Sequence, residues 1–328
     1  MHRSPALFTL AAAFVVMALP AAERITATAP TLVAKSGARE GPSWNPFTGT
    51  LHFVSGNNVN QMKPGSAVKP FRTDAPGANG SMVDPQGRVV VCEAGGRRVT
   101  RTEKDGSLTI LAETFDGHKF NSPNDLSIDS KGRIYFTDPR YGKTDTMEMR
   151  DATGQLVEGV YRIDAPGKVS RILSHELERP NGILVSPDER HLYIADNRND
   201  RPGGARKLYR FDLRADGTIA PNSRKLIFDW KTARGPDGFK MDRAGRLYVA
   251  AGLNKPSPFE TIDEFKGGVY ILSPEGQLLE FIPLPEDETT NCAFGDKDLK
   301  TLYMTSGDQL WSVRVKTPGR ISATRLGK

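Results

Sequence analysis

Six polar residues recur at equivalent places along the chain, and their types suit metal chemistry. They are two carboxylates and four carboxamides, namely Glu40, Asn79, Asn124, Asn181, Asp237 and Asn291. Each precedes, by about 10–11 residues, an apolar segment rich in β-branched and aromatic residues, which is typical of a strand. Carboxylate and amide oxygens are the ligands that hard divalent cations prefer. If the six side chains meet, they can bind one such cation, and the two carboxylates would partly neutralise its charge.

The element that must position these residues is a repeat of strands. In each copy the polar residue begins a first strand, a turn with Asp, Pro or Gly follows, and a second apolar strand comes next. A third and often a fourth strand complete the copy, and the period is roughly 40–58 residues. Four strands at that period indicate a β-propeller blade. We therefore predict an all-β fold, a six-bladed β-propeller with four-stranded blades.

The propeller predicts where the six polar residues lie. First strands line the central channel of a propeller, and their starts share one mouth, so the six side chains should form a ring around the axis. Residues 25–35 precede the first copy and are expected to add a strand to the last blade, which closes the ring. Asn and Asp before Gly are also common turn residues, so Asn181 and Asp237 could simply begin strands. Asp129 and Gly132, which precede a second strand, are assigned to a turn.

Composition restricts the class of protein. The net charge of +6 is spread along 328 residues without a Lys/Arg run, which argues against a nucleic-acid partner. Two cysteines, Cys92 and Cys292, exclude a disulfide scaffold and a thiolate zinc cluster, and we expect both to be buried and unpaired. The five histidines lack zinc-site spacing, and no Gly-x-Ser-x-Gly nucleophile motif is present.

The amino-terminal residues 1–22 are typical of a secretory signal peptide. A basic start precedes the apolar stretch 6–19, and small residues end the segment. We predict export to the periplasm or the cell exterior, with residues 23–328 as one propeller domain; an uncleaved membrane anchor is the alternative. No other segment is long and apolar enough to span a bilayer. After cleavage we expect no membrane contact and a monomer or small homo-oligomer.

A set of short motifs, in order over residues 40–310, resembles the SMP-30/gluconolactonase/LRE family, above all its bacterial gluconolactonases. The motifs are Glu40-Gly-Pro with Trp44, Cys92-Glu-Ala-Gly-Gly-Arg-Arg-Val, Asn121-Ser-Pro-Asn-Asp-Leu, Tyr135-Phe-Thr-Asp-Pro-Arg-Tyr-Gly, Arg179-Pro-Asn-Gly-Ile, Gly235-Pro-Asp-Gly and Asn291-Cys-Ala-Phe-Gly. The resemblance implies a six-bladed propeller with one catalytic divalent cation in its channel, Ca²⁺ before Mg²⁺, Mn²⁺ or Zn²⁺.

The resemblance also implies roles for individual residues. Glu40, Asn181 and Asp237 match the family's metal ligands, and Asp237 also matches its proton donor and acceptor. Asn124 matches a further asparagine that contacts the metal, directly or through water, and the substrate. This chain departs from the family pattern at Ala94, where many members have His, and at Ser122, where animal members have a substrate-binding Arg. Both departures bear on the specificity for a sugar lactone.

These assignments predict a metal-dependent lactonase that takes a small-molecule lactone. The cation would polarise the carbonyl and orient a water, and Asp237 would act as general acid and base. Asn79, Asn124 and Asn291 would bind the substrate, and so would Arg140 and Tyr141 at the start of the polar loop 141–158. Two alternatives remain: a phosphotriesterase or other esterase that uses the same metal site, and a non-enzymatic propeller that binds a ligand or a protein on its rim.

Overall fold

The computed structural model describes residues 23–141 and 145–321. The predicted signal peptide, residues 1–22, therefore lies outside the described residues. In the described ranges the regular structure is made of β-strands, and no helix there is long and apolar enough to cross a membrane. The runs of Val, Ile, Tyr and Phe in the repeats account for this, because β-branched and aromatic side chains suit a pleated, half-buried surface.

Six four-stranded antiparallel sheets follow one another as the blades of a propeller, which confirms the predicted fold. The strands are β1 (Thr31–Ala34), β2 (Glu40–Asn45), β3 (Thr50–Ser55), β4 (Asn58–Met62), β5 (Lys69–Arg72), β6 (Ala78–Val83), β7 (Val89–Glu93), β8 (Arg98–Thr102), β9 (Leu108–Ala112), β10 (Thr114–Phe115), β11 (His118–Lys119), β12 (Leu126–Ile128), β13 (Ile134–Asp138), β14 (Gly159–Ala165), β15 (Lys168–Leu173), β16 (Pro180–Val185), β17 (His191–Asn197), β18 (Arg206–Asp212), β19 (Lys225–Asp229), β20 (Phe239–Met241), β21 (Leu247–Ala251), β22 (Gly268–Leu272), β23 (Leu278–Pro283), β24 (Thr289–Gly295), β25 (Thr301–Ser306) and β26 (Gln309–Arg314). Blades 1 to 5 are β2–β5, β6–β9, β12–β15, β16–β19 and β20–β23, and β10 and β11 form a separate hairpin.

The sixth blade contains the first and the last strands of the described chain. Its strands run in the order β24, β25, β26 and β1, and β1 pairs antiparallel with β26, so that Thr31 lies opposite Ser312. The segment before β1 is held on the neighbouring blade, because the backbone amides of Ile25 and Thr26 donate to Glu280 Oε2 at 2.5 and 3.2 Å. The strand predicted within residues 25–35 therefore completes the last blade, as expected.

A repeated turn connects the first strand of a blade to the second. In blade 3, Asp129 Oδ1 accepts hydrogen bonds from the amides of Lys131 and Arg133 at 3.0 and 2.9 Å, and Oδ2 accepts one from Arg133 Nε at 2.6 Å. Gly132 has a φ of +81°, a left-handed conformation that favours glycine. Asp242 makes the same bonds in blade 5. These residues belong to turns, as predicted.

The core lies between neighbouring blades. The first strands β2, β6, β12, β16, β20 and β24 each contact the first strands of the blades on either side, so they enclose the channel. Farther out, large side chains such as Trp230 and Tyr248 are fully buried between sheets. Cys92 and Cys292 are buried and unpaired, as expected. The rigid stack of first strands is what positions the ring residues.

Candidate functional site

Glycines beside the ring residues let the first strands approach one another. The residue after the ring position is glycine in four blades, at Gly41, Gly80, Gly182 and Gly238. A Cβ at Gly182 would lie 2.1 Å from the carbonyl oxygen of Asp237, and one at Gly80 would lie 2.6 Å from that of Asn124. Neither Gly182 nor Gly238 has a positive φ, so a turn conformation does not explain them. Close packing between blades does, and it brings the ring side chains together.

One side of the ring joins Glu40 to Asn291 and Asp125. The Asn291 Nδ2 group donates to Glu40 Oε2 at 2.9 Å and to Asp125 Oδ2 at 3.4 Å. On its other face Asn291 Oδ1 accepts a bond from Lys240 Nζ at 3.3 Å. Burial, and next the negative charges of Asp237 and Asp125, raise the pKa of Glu40 well above its ordinary value. The carboxylates are therefore close enough to repel one another.

The other side of the ring joins Asp237 to Asn181, Tyr141 and Arg234. Arg234 Nη2 donates to Asp237 Oδ2 at 2.7 Å, and Asn181 Nδ2 donates to the Tyr141 hydroxyl oxygen at 2.7 Å. Asn181 also acts on Asp237, since its side chain lowers the pKa of that carboxyl group. Burial raises the pKa of Asp237 to about 7, against the opposing charge of Arg234. The structure thus brings Glu40, Asn181, Asp237 and Asn291 into one cluster, with Tyr141 beside it.

Asp125 belongs to this cluster although sequence reasoning missed it. It occupies the position where four other blades have glycine, its side chain is 3% exposed, and its Oδ1 accepts a bond from the Leu126 amide at 2.8 Å. Burial raises its pKa, and the charge of Lys240 opposes the rise. The sequence does carry a signal that could have identified Asp125, because an aspartate stands at a position that is glycine in four other copies of the repeat.

The remaining predicted residues lie around the cluster with fewer contacts. Asn124 is buried, and its backbone amide donates to the carbonyl oxygen of Thr137. Asn79 is partly buried and lines a groove at the channel mouth. The Arg140 amide donates to Glu158, and its Nη2 donates to Thr146 in the loop, so these contacts lie away from the ring. Substrate binding by Asn79, Asn124 and Arg140, and also by Tyr141 and Asn291, stays a prediction.

The groove at the mouth is acidic on the side of blades 1 and 6. It encloses about 1200 Å³, open solvent included, and Glu40 and Asn79 are among the residues that line it. Its lining also includes the acidic residues Glu286, Glu288 and Asp308. A small polar molecule can therefore reach the ring from solvent.

The charges and donor atoms at the ring fit a divalent cation. Asp125 and Asp237 are buried and Glu40 is partly buried, and the positive charges that act on the two aspartates are those of Lys240 on Asp125 and Arg234 on Asp237. Within the residues that the structure describes, the Asn181 Oδ1 atom is buried without a hydrogen-bond partner, and an unsatisfied oxygen at such a place suits a hard cation. Within residues 23–141 and 145–321, no three His, Cys, Asp or Glu side chains are grouped as ligands of one ion. A cation here would therefore depend on the carboxamides as well.

Comparisons with known proteins find a matching family model and similar sequences. The family model described as SMP-30/gluconolactonase/LRE-like region matches residues 38–308. A gluconolactonase of Zymomonas mobilis is 32% identical over 284 residues, which cover 84% of this chain and 72% of that protein.

Solved structures show the same architecture. A gluconolactonase from Xanthomonas campestris superposes with a TM-score of 0.72 at 31% identity, over 87% of this chain and 89% of that one. A calcium-binding regucalcin from Agrobacterium tumefaciens shares the fold with a TM-score of 0.67 at 17% identity, over 88% and 95% of the two chains.

Proposed function

The chain belongs to the SMP-30/gluconolactonase/LRE-like family, and on that premise we propose that it hydrolyses a lactone with one divalent cation held by Glu40, Asn181 and Asp237. The observation that carries the proposal is the cluster of carboxylates around the orphaned Asn181 Oδ1 at the channel mouth. Crowded carboxylates are costly without a cation. A scaffold that only binds partners on its rim has no need of them.

The proposed chemistry is addition of water to the lactone carbonyl carbon, followed by cleavage of the bond to the ring oxygen. A bound divalent cation would supply polarisation of the carbonyl and a lowered pKa of a coordinated water. Asp237 would accept the water proton and return it to the departing ring oxygen, which yields the hydroxy acid. Arg234 holds Asp237 Oδ2 at 2.7 Å and so orients this carboxylate. Asn124 and Tyr141 would bind the substrate oxygens.

The lactone itself and the native ion are open within this proposal. Ca²⁺ is our first choice, since it accepts carboxylate and carboxamide oxygens in a flexible geometry, and Mg²⁺, Mn²⁺ and Zn²⁺ can also use these donors. An ester or a phosphotriester could react at the same site by an equivalent attack of water. A panel of substrates therefore belongs in the test.

The test is hydrolysis of gluconolactone, an aryl ester and a phosphotriester before and after treatment with EDTA, with each of the four cations added back. We expect lactone hydrolysis to be lost on chelation and restored by a cation, and to fall at least a thousand-fold in a folded Asp237→Asn variant. Asp308→Asn is the matched control, because Asp308 lines the same groove but pairs with Arg39 at 2.7 Å.

Three outcomes would contradict the proposal. Full lactone turnover by protein shown by elemental analysis to hold no metal would exclude a cation-dependent reaction. Turnover of the phosphotriester or the aryl ester alone would favour the alternative enzyme. Absence of turnover on every substrate with every cation would favour a binding protein.

A further inference from the structure

Arg234 has hydrogen-bonding capacity that the proposed reaction does not use. Its side chain is 5% exposed, and Nη2 contacts both Asp237 at 2.7 Å and Glu288 at 3.0 Å. Nε and Nη1 are buried and have no hydrogen-bond partner among the described residues. Among the residues that the structure describes, it is the one arginine with two such nitrogens.

A second buried arginine shows what a satisfied guanidinium looks like in this fold. Arg179 is 1% exposed, and all three of its nitrogens donate, to Glu158 at 3.2 Å, to Asn199 at 3.5 Å and to Asp200 at 2.8 Å. Leaving a buried donor unpaired is costly, so buried polar groups are normally satisfied. The contrast indicates that Arg234 can take a partner beyond those that the described residues supply.

A carboxamide with the same property lies beside Gly235, the residue after Arg234. Asn197 is fully buried at the end of β17, and neither its Oδ1 nor its Nδ2 has a hydrogen-bond partner in the described part of the chain. The backbone of Gly235, the residue after Arg234, packs against it so closely that a Cβ there would lie 3.0 Å from Asn197 Oδ1. A planar guanidinium with a neighbouring amide donor is suited to bind a carboxylate, which accepts two parallel hydrogen bonds from arginine.

The charges at the mouth favour one orientation of an acidic ligand. Glu286 and Asp308 line the groove on the side of blades 1 and 6, where they would repel a carboxylate. Glu288 is 53% exposed, and its carboxylate already reaches the buried Arg234 from the solvent side. A carboxylate that enters from solvent can therefore take the place of Glu288 on the guanidinium.

We infer that Arg234, with Asn197, binds a carboxylate carried by the substrate at the end away from the reacting carbonyl, so that the preferred substrate is the lactone of a sugar diacid. This inference rests on the proposed lactonase function and names the substrate class of that site. Glu288 then covers the subsite when no substrate is bound, and it competes with the substrate carboxylate for Nη2.

The experiment compares two lactones that differ only at this end. Glucono-1,4-lactone ends in a hydroxymethyl group and glucaro-1,4-lactone ends in a carboxylate. We expect kcat/KM of the cation-loaded protein to be at least tenfold higher for glucaro-1,4-lactone. Arg234→Gln should abolish that preference, and Glu288→Gln should raise kcat/KM severalfold for the acidic lactone alone. Arg39→Gln is the control, because it removes a positive charge from the same groove at an exposed position.

Binding of the product acids gives a measurement that does not depend on turnover. Calorimetry should show glucarate binding at least tenfold more tightly than gluconate to the cation-loaded protein, and that difference should disappear in Arg234→Gln. If Arg234→Gln does not fold, the ratio of glucarate to gluconate affinity in the wild type and the kcat/KM values of Glu288→Gln test the carboxylate subsite instead.

The failures of the two proposals are distinguishable. Cation-dependent hydrolysis of both lactones without a preference for the acidic one, and with equal binding of the two acids, would overturn the carboxylate subsite and leave the lactonase proposal standing. If neither lactone is hydrolysed, the lactonase proposal fails, and equal binding of glucarate and gluconate would then overturn the subsite as well.

Discussion

Removal of the divalent cation should make the stability of this protein fall as the pH rises. Burial raises the pKa of Asp237 to about 7 and that of Glu40 well above its ordinary value. A carboxyl group whose pKa is higher in the folded state binds its proton more tightly there. Its stabilising contribution is complete below the unfolded pKa of about 4 and is lost as the pH rises through the folded pKa. The cation-free protein should therefore be most stable at mildly acidic pH.

The size of the expected loss of stability follows from the pKa shift of Asp237. A rise from 3.8 to about 7 corresponds to about 4 kcal/mol, since one pKa unit is about 1.4 kcal/mol. The total stability of a folded protein is about 5–15 kcal/mol, so this is a large part of it. A bound cation would oppose the loss, because it favours the ionised carboxylates. With excess cation, the stability at pH 8 should therefore recover.

The assay is urea denaturation between pH 4 and pH 8, with EDTA or with excess Ca²⁺. Other buried groups titrate in this window, because burial raises the pKa of Asp138 to about 7 and that of Asp196 to about 6. Burial also lowers the pKa of His52 to about 4, which acts in the opposite direction. The difference between the wild type and Asp237→Asn isolates the contribution of Asp237. Parallel profiles for the two proteins in EDTA would refute the reasoning.

Two further substitutions test the packing and the contacts of the ring. Gly182→Ala places a Cβ 2.1 Å from the Asp237 carbonyl oxygen, so it should lower the urea midpoint and weaken Ca²⁺ binding, measured by calorimetry, at least tenfold. Gly96→Ala is the control, because a Cβ there meets only side-chain atoms. Unchanged Ca²⁺ affinity in Gly182→Ala would contradict the argument. Tyr141→Phe removes the oxygen that accepts a hydrogen bond from Asn181, so it should raise KM severalfold without unfolding the protein. Tyr303→Phe loses a hydrogen bond to Asp296 and should leave KM unchanged. Equal KM values in the two variants would count against a role for Tyr141.

The ring could be predicted from the sequence because each blade repeats the same local register. Glu40, Asn181, Asp237 and Asn291 occupy the same position relative to a second strand, and a closed stack of first strands brings equivalent positions together. The strand that completes the sixth blade was predictable for a similar reason, since the last copy of the repeat lacked an outer partner. Residues at equivalent positions of the repeat therefore lie close together in the folded protein.

Residues that break the repeat could not be predicted in the same way. Asp125 stands where other blades have glycine, so its carboxylate has no counterpart to align with. Arg234 precedes the first strand of blade 5, outside the aligned positions, and its burial beside Asp237 is a tertiary property. Arg140 was predicted to bind substrate, and its contacts with Thr146 and Glu158 depend on the path of a loop that has no equivalent in the other blades.

The pairing of β1 with β26 has a consequence for biosynthesis. During translation Thr31–Ala34 is made well before its hydrogen-bonding partner Gln309–Arg314. The nascent polypeptide therefore carries an unpaired strand until Gln309–Arg314 has been made, and closure of the sixth blade must join two strands that lie far apart in the sequence. Long-range pairing of this kind slows folding and prolongs exposure to aggregation.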